Sequence, residues 1–168
     1  NESGIVLDRD DFVLNGNGRT IDAKNQSRIF NITANNLTIN DLILINGNAE
    51  KGGAIYSTGP LTLNNVTFIN NNASRGGAIY SSGLLTLDNA TFINNTADFG
   101  GAIAHYNMTL KCSNSHFINN TASYAGAIYS TGLLTLDNST FINNTAYIGG
   151  AISYYGTLNC SDSRFIDN

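Results

Sequence analysis

The chain has 168 residues, of which only 12% are charged, and its formal net charge is −4. This acidic balance excludes the basic surface that nucleic acid or an anionic lipid would require, so we expect neither as a partner. No run of 18 or more apolar residues occurs, so the sequence predicts no membrane insertion by this segment. Apolar residues recur at fixed positions between abundant Asn, Ser, Thr and Gly, which favours a folded chain.

Residues 1–48 predict degenerate coils of a repeat that becomes regular further along the chain. Four apolar residues here precede four residues of the first regular repeat by 24 positions: Leu37, Ile39, Leu42 and Leu44 against Leu61, Leu63, Val66 and Phe68. The stretch 15–18 predicts a turn in the coil before. Because the chain starts with Asn1 and stops one motif into a coil, we expect a fragment of a longer protein. Uncapped coils would expose strand edges, which makes end-to-end self-association a further expectation.

Residues 49–168 contain five regular repeats with three short apolar, β-prone runs in each. Their phenylalanines are 24, 25, 24 and 24 residues apart: Phe68, Phe92, Phe117, Phe141 and Phe165. The alternation in Leu61-Thr62-Leu63 predicts a strand with one buried face, and a period of this length predicts stacked units. We therefore predict one all-β domain over 1–168: a single-stranded, right-handed parallel β-helix (solenoid) of about seven coils, each of about 24 residues with three short strands.

Stacking the coils turns equivalent residues into columns. The phenylalanines form an aromatic core column, and a second column predicts an inward hydrogen-bonded asparagine ladder: Asn70, Asn94, Asn119 and Asn143, with Asp167 at its end. Cys112 and Cys160 fall in a leucine core column two coils apart. Two coils span about 9.6 Å, beyond the reach of a disulfide, so we expect two free, buried thiols.

The columns gather no catalytic cluster, and we assign no catalytic, cofactor-binding or metal-binding residue. Asp88 and Asp137 share a column but are separated by Ser113, without a basic neighbour in register. The single 25-residue unit predicts a bulged loop that carries His105 and Tyr106, and loops on a rigid scaffold often carry function. We expect a protein that is not an enzyme and uses no cofactor.

The two residues before each Gly-Gly-Ala vary most between the repeats. Together with the tyrosines that follow the isoleucine column, they predict an exposed aromatic stripe, which would suit sugar rings or protein partners. The alternative is that stacked tyrosines merely cover the strands beneath them. The candidate ligand-contacting residues are Arg75, Phe99, Tyr124, Tyr147, His105 and Tyr106.

Two motifs carry a family resemblance. Gly-Gly-Ala-Ile begins at Gly52, Gly76, Gly100 and Gly149, with a variant at Ala125, and Phe-x-x-Asn begins at each repeat phenylalanine. This pair resembles the repeats of chlamydial polymorphic outer membrane proteins. The asparagine-rich version, with the lead-in at 15–23, is similar to adhesin-like surface proteins of methanogenic archaea.

The resemblance implies a right-handed β-helix in a secreted or surface-anchored extracellular protein involved in attachment. Its partner would be a glycan or protein on a host or neighbouring cell. Two other functions stay open: a rigid structural spacer, and a polysaccharide lyase or hydrolase of the pectate lyase type. The latter would need converging carboxylates.

Overall fold

The computed structural model describes residues 4–168, which form a parallel β-solenoid of about seven turns with a repeat of about 24 residues. This confirms the predicted fold class. The described residues contain strands and no helix, and therefore no helix that could cross a membrane.

The strands, numbered β1 to β23 in chain order, form three sheets in which all pairs are parallel. The first sheet contains β1 (Ile5–Leu7), β3 (Phe30–Ile32), β6 (Ile55–Ser57), β9 (Ile79–Ser81), β13 (Ile103–His105), β17 (Ile128–Ser130) and β21 (Ile152–Tyr154). The second contains β2 (Val13–Asp22), β4 (Leu37–Ile45), β7 (Leu61–Ile69), β10 (Leu85–Asp88), β11 (Thr91–Ile93), β14 (Thr109–Ser113), β15 (His116–Ile118), β18 (Leu133–Asp137), β19 (Thr140–Ile142), β22 (Thr157–Ser161) and β23 (Arg164–Ile166). The third contains β5 (Asn48–Lys51), β8 (Asn72–Arg75), β12 (Thr96–Phe99), β16 (Thr121–Tyr124) and β20 (Thr145–Ile148).

The three predicted strand segments of each coil form the first two sheets. The third sheet was not predicted. Its strands lie in a segment that we interpreted as a turn, and they include the variable residues before each Gly-Gly pair. In the N-terminal coils, β4 pairs with β7 at the predicted shift of 24 residues. The predicted turn at 15–18 is instead a bulge inside β2, where the register against β4 shifts between Asn15 and Arg19.

The core is built around the predicted phenylalanine column. Successive ring centroids are 4.7, 4.8, 4.6 and 4.7 Å apart, and the rings are nearly parallel. This separation matches the spacing of neighbouring strands, so each coil buries the ring of the coil below it. Phe165 is the exception at 48% exposed, because it lies in the last coil.

The asparagine ladder exists, but the sequence placed it one residue too early. Asn70 and its equivalents have positive φ angles of 51–55° and are exposed: Asn94, Asn119, Asn143 and Asp167. A left-handed residue interrupts the in-out alternation of the strand, so Phe68 points inward, Asn70 makes the turn and Asn71 points inward again.

The ladder therefore consists of the residues that end each Phe-x-x-Asn motif, which are buried except for Asn168. Successive side-chain amides donate to the next carbonyl oxygen at 2.8–3.0 Å along Asn71, Asn95, Asn120, Asn144 and Asn168. Each amide also donates to a main-chain carbonyl, as Asn95 does to the oxygen of Phe68 at 3.1 Å. The ladder thus satisfies the buried polar groups at one corner of the solenoid.

The two cysteines are free and lie in the predicted column, but only one is buried. Cys112 is 0% exposed, and burial raises the pKa of its thiol. Cys160 pairs in register with Leu136 but is exposed in the described residues, where it lies in the last coil. The expectation of two buried thiols is therefore wrong for Cys160.

Candidate functional site

The variable residues of the third sheet form a column along one corner of the solenoid. Lys51, Arg75, Phe99 and Tyr124 are paired in register in successive coils. A glycine with positive φ follows the first three, and a Cβ at Gly76 would collide with the backbone of the same turn. Glycine therefore permits the sharp corner that brings this column next to the tyrosines of the first sheet.

A second column carries one tyrosine ring from each of five coils. Its ring-centroid distances are 5.3, 5.2, 5.7 and 5.9 Å along Tyr56, Tyr80, Tyr106, Tyr129 and Tyr155. The first two rings stack face to face at 5°, whereas the later pairs are tilted by 33–56°. Tilted rings cover one another's faces incompletely, so this part of the column leaves aromatic surface open.

Tyr106 reaches this column by an irregular route. In register, Ala104 occupies the position of Tyr80 and Tyr129. The extra residue of the 25-residue coil lies between His105 and Thr109, and it places the ring of Tyr106 where Ala104 has none. The insertion therefore preserves a continuous run of rings.

The two columns touch through Phe99. Its ring stacks on Tyr124 with centroids 4.9 Å apart and meets the edge of Tyr129 at 5.5 Å. Arg75, Phe99, Tyr106 and Tyr129 together line one shallow depression. Burial is the main reason why the pKa of Tyr106 and of Tyr129 lies above its ordinary value, and the charge of Arg75 opposes that rise. Both phenols are therefore neutral hydrogen-bonding groups near pH 7.

Cations accompany the rings at the N-terminal end of this surface. The guanidinium carbon of Arg28 lies 5.2 Å from the ring centroid of Tyr56, and the amine of Lys51 lies 5.4 Å from that of Tyr80. Such contacts fix the long side chains against the rings. Arg28 itself is buried, at 7% exposed. We call the accessible surface the aromatic-basic face; it consists of Lys51, Arg75, Phe99, Tyr124, Tyr56, Tyr80, Tyr106, Tyr129 and Tyr155.

The structure brings four of the six predicted site residues together on this face: Arg75, Phe99, Tyr106 and Tyr124. Tyr147 lies outside it. It occupies the position of Ser123, one residue before the column of Tyr124, and is 90% exposed without a ring partner among residues 4–168.

The predicted position of His105 on an exposed loop is wrong. It ends strand β13 instead of lying on a loop, and it is completely buried. Its Nε2 donates to the carbonyl oxygen of Gly83 at 3.0 Å, while Nδ1 has no partner in the described part of the chain. Burial lowers the pKa of His105, and the hydrogen bond to Gly83 partly opposes this. A neutral, buried imidazole cannot contact a surface ligand.

The residues that we predicted for the site do not include Tyr129 and Lys51, although the repeat already shows the columns to which both belong. Outside the face, the two acids of the predicted column are held in local polar contacts. Asp88 accepts a hydrogen bond from Asn114 at 2.8 Å, and Asp137 accepts one from Ser161 at 2.9 Å. No group of three or more His, Cys, Asp or Glu side chains in the described part could hold a metal ion.

Fold and face together define a β-solenoid repeat segment with one chemically distinct lateral surface. Three of its stretches match the model of the Chlamydia polymorphic membrane protein repeat, at residues 65–82, 89–105 and 138–154. The matches support the resemblance to that repeat, and they fit a repeat segment of a surface protein. Comparison with curated proteins and with solved structures found no match.

Proposed function

We propose that the chain is a non-enzymatic, extracellular segment of a cell-surface adhesin that attaches through the aromatic-basic face. The observation that carries this proposal is the run of five tyrosine rings, one per coil, joined laterally to Phe99 and Tyr124. Aromatic residues and arginine are enriched where proteins bind partners. The partner is a glycan or protein on a host or neighbouring cell.

The arrangement of the rings favours binding energetically. Neighbouring coils already hold each ring in place, and the rings of Tyr80, Phe99 and Tyr129 are half-buried. A ligand therefore has little side-chain entropy to remove when it binds. Rigid rings on a rigid scaffold are an economical attachment surface.

The surface location draws support from the family match, since that repeat belongs to membrane proteins of Chlamydia. The asparagine-rich repeats add the resemblance to adhesin-like proteins of methanogenic archaea, and both the adhesin role and an archaeal origin belong to this proposal.

A rigid spacer is the second candidate, favoured by the unbroken phenylalanine column and the buried asparagine ladder. Such a rod would hold another domain away from the cell, and substitutions on its lateral face would not change its function. A pectate-lyase-like enzyme is the third, and turnover of any uronate polymer would overturn our assignment in its favour.

The test is attachment to whole cells and to a glycan array by the chain with Phe99→Ser and Tyr124→Ser together. We expect binding by the unaltered chain and its loss in the double variant. The matched control is Tyr154→Ser, which removes a 48% exposed tyrosine and installs the serine found at the paired position Ser130. Equal binding by all three chains would show that attachment does not use this face, and no binding by any of them would favour the spacer.

A further inference from the structure

The depression on the aromatic-basic face combines one cation with three aromatic rings. Its lining residues are Arg75, Phe99, Tyr106 and Tyr129. Arg75 is exposed, and none of the carboxylates at residues 4–168 forms an ion pair with it. Its guanidinium also makes no hydrogen bond within the described residues, so its donors are available to a ligand.

The aromatic-basic face carries two neighbouring positive charges, although the net charge of the whole chain is negative. The net charge is −4, yet Lys51 and Arg75 lie on the aromatic-basic face. The nearby Arg28, in contrast, is 7% exposed and donates to the carbonyl oxygens of Lys51 and Gly52. Lys51 and Arg75 are paired in adjacent strands, so their backbones lie about 4.8 Å apart. Glu50 lies beside Lys51, whereas no acid in the described part of the chain lines the depression that contains Arg75. An anionic ligand is therefore attracted to the depression, while the acidic remainder of the surface repels it.

The chemistry of the lining narrows the class of ligand. The guanidinium fork matches the two oxygens of a planar carboxylate. Aromatic rings pack against the apolar face of a sugar ring, and the neutral phenols of Tyr106 and Tyr129 offer hydrogen bonds to hydroxyl groups. A sugar whose pyranose ring carries a carboxylate can contact the guanidinium, the aromatic rings and the phenol hydroxyls at the same time.

We infer that the aromatic-basic face recognises acidic glycans, with the carboxylate of a sugar unit on Arg75 and its ring against Phe99, Tyr106 and Tyr129. This inference rests on the proposed attachment function and specifies its ligand. The carboxylate belongs either to a uronic acid within a polysaccharide or to a terminal sialic acid, and the test separates these two sources.

The experiment is titration calorimetry of the whole chain with four probes. An oligogalacturonate is compared with its methyl ester, which keeps the sugar rings and removes the charge. Sialyllactose is compared with lactose. We expect at least one acid to bind about tenfold more tightly than its neutral counterpart, and the acid that does so identifies the source.

Two variants assign the effect to Arg75. Arg75→Gln should abolish the preference for the acid while leaving weak binding of the neutral sugar. Arg164→Gln is the matched control, because it removes the same charge from an exposed residue of strand β23 in the second sheet and should keep the preference. Thermal unfolding of both variants checks that the fold is retained.

Each other outcome is decisive. Equal affinity for acidic and neutral probes, or an unchanged preference in Arg75→Gln, overturns this inference and leaves attachment through the aromatic rings standing. Attachment to cells through proteins alone also overturns it. If the chain binds no probe and no cell, the proposed function itself fails, and the inference fails with it.

Discussion

The buried asparagine ladder makes a strong prediction about stability at Asn95. Its side chain donates to Asn120 at 3.0 Å and to the carbonyl oxygen of Phe68 at 3.1 Å. Its own oxygen accepts two bonds from Asn71, one from the backbone N–H and one from the amide, both at 3.0 Å. Asn95→Ala would remove all four.

The cost follows from the groups left behind. The amide of Asn71 keeps its bond to Leu44, and the oxygen of Asn120 keeps the backbone N–H of residue 95. The backbone N–H of Asn71 is left buried without its partner, which costs about 1–3 kcal/mol, and each of the other three lost bonds costs about 1 kcal/mol. Asn95→Ala should therefore lower the free energy of unfolding by about 5 kcal/mol.

Urea denaturation measures this loss of unfolding free energy. Hydrogen exchange at the backbone N–H of Asn71 shows where in the chain the loss occurs. The control is Asn72→Thr, at an exposed residue where the next coil has Thr96, and it should change stability by less than about 0.5 kcal/mol. Because stacked coils can unfold in parts, both variants are compared by local exchange as well as by the global transition. If Asn95→Ala is no more destabilising than Asn72→Thr, the ladder does not hold the coils together.

Three further predictions concern single positions. Because burial lowers the pKa of His105, the unfolded chain binds that proton more tightly, and stability should fall as the pH drops below about 6.5; His105→Ser should flatten this dependence in urea titrations between pH 7 and 5, and parallel slopes would refute it. A disulfide reagent such as DTNB should label Cys160 in the native chain and Cys112 only after unfolding, so two rapidly labelled thiols would contradict the structure. Gly101→Ala would press a Cβ into backbone carbonyls of the next coil and should cost about 3 kcal/mol in urea denaturation, against about 1 for Gly18→Ala, where only the positive φ resists; equal losses would contradict this packing.

The sequence predicted the regular parts of the fold because each depends on a pattern repeated in every coil. The phenylalanine column and the leucine strands follow from period and alternation alone. The ladder was missed by one residue because alternation continues only until a residue adopts the left-handed conformation, as Asn70 does. The Phe-x-x-Asn motif, which ends at Asn71, already contained that signal.

The candidate site was harder to predict because it depends on departures from the period. The sequence located the extra residue of the 25-residue coil but assigned His105 to the resulting loop. Register shows that the strand continues through His105 and that the insertion follows it. The ring of Tyr106 takes the place in the tyrosine column where Ala104 has no ring. This contact exists only in three dimensions, so the spacing of residues in the sequence does not predict it.

The aromatic-basic face is the central claim, and a crystal structure of the chain soaked with the tighter-binding acidic oligosaccharide tests it most directly. We expect density for a sugar ring in the depression lined by Arg75, Phe99, Tyr106 and Tyr129, with its carboxylate within hydrogen-bonding distance of the guanidinium. A ligand bound on the outer face of the second sheet, with this depression empty, would contradict the claim.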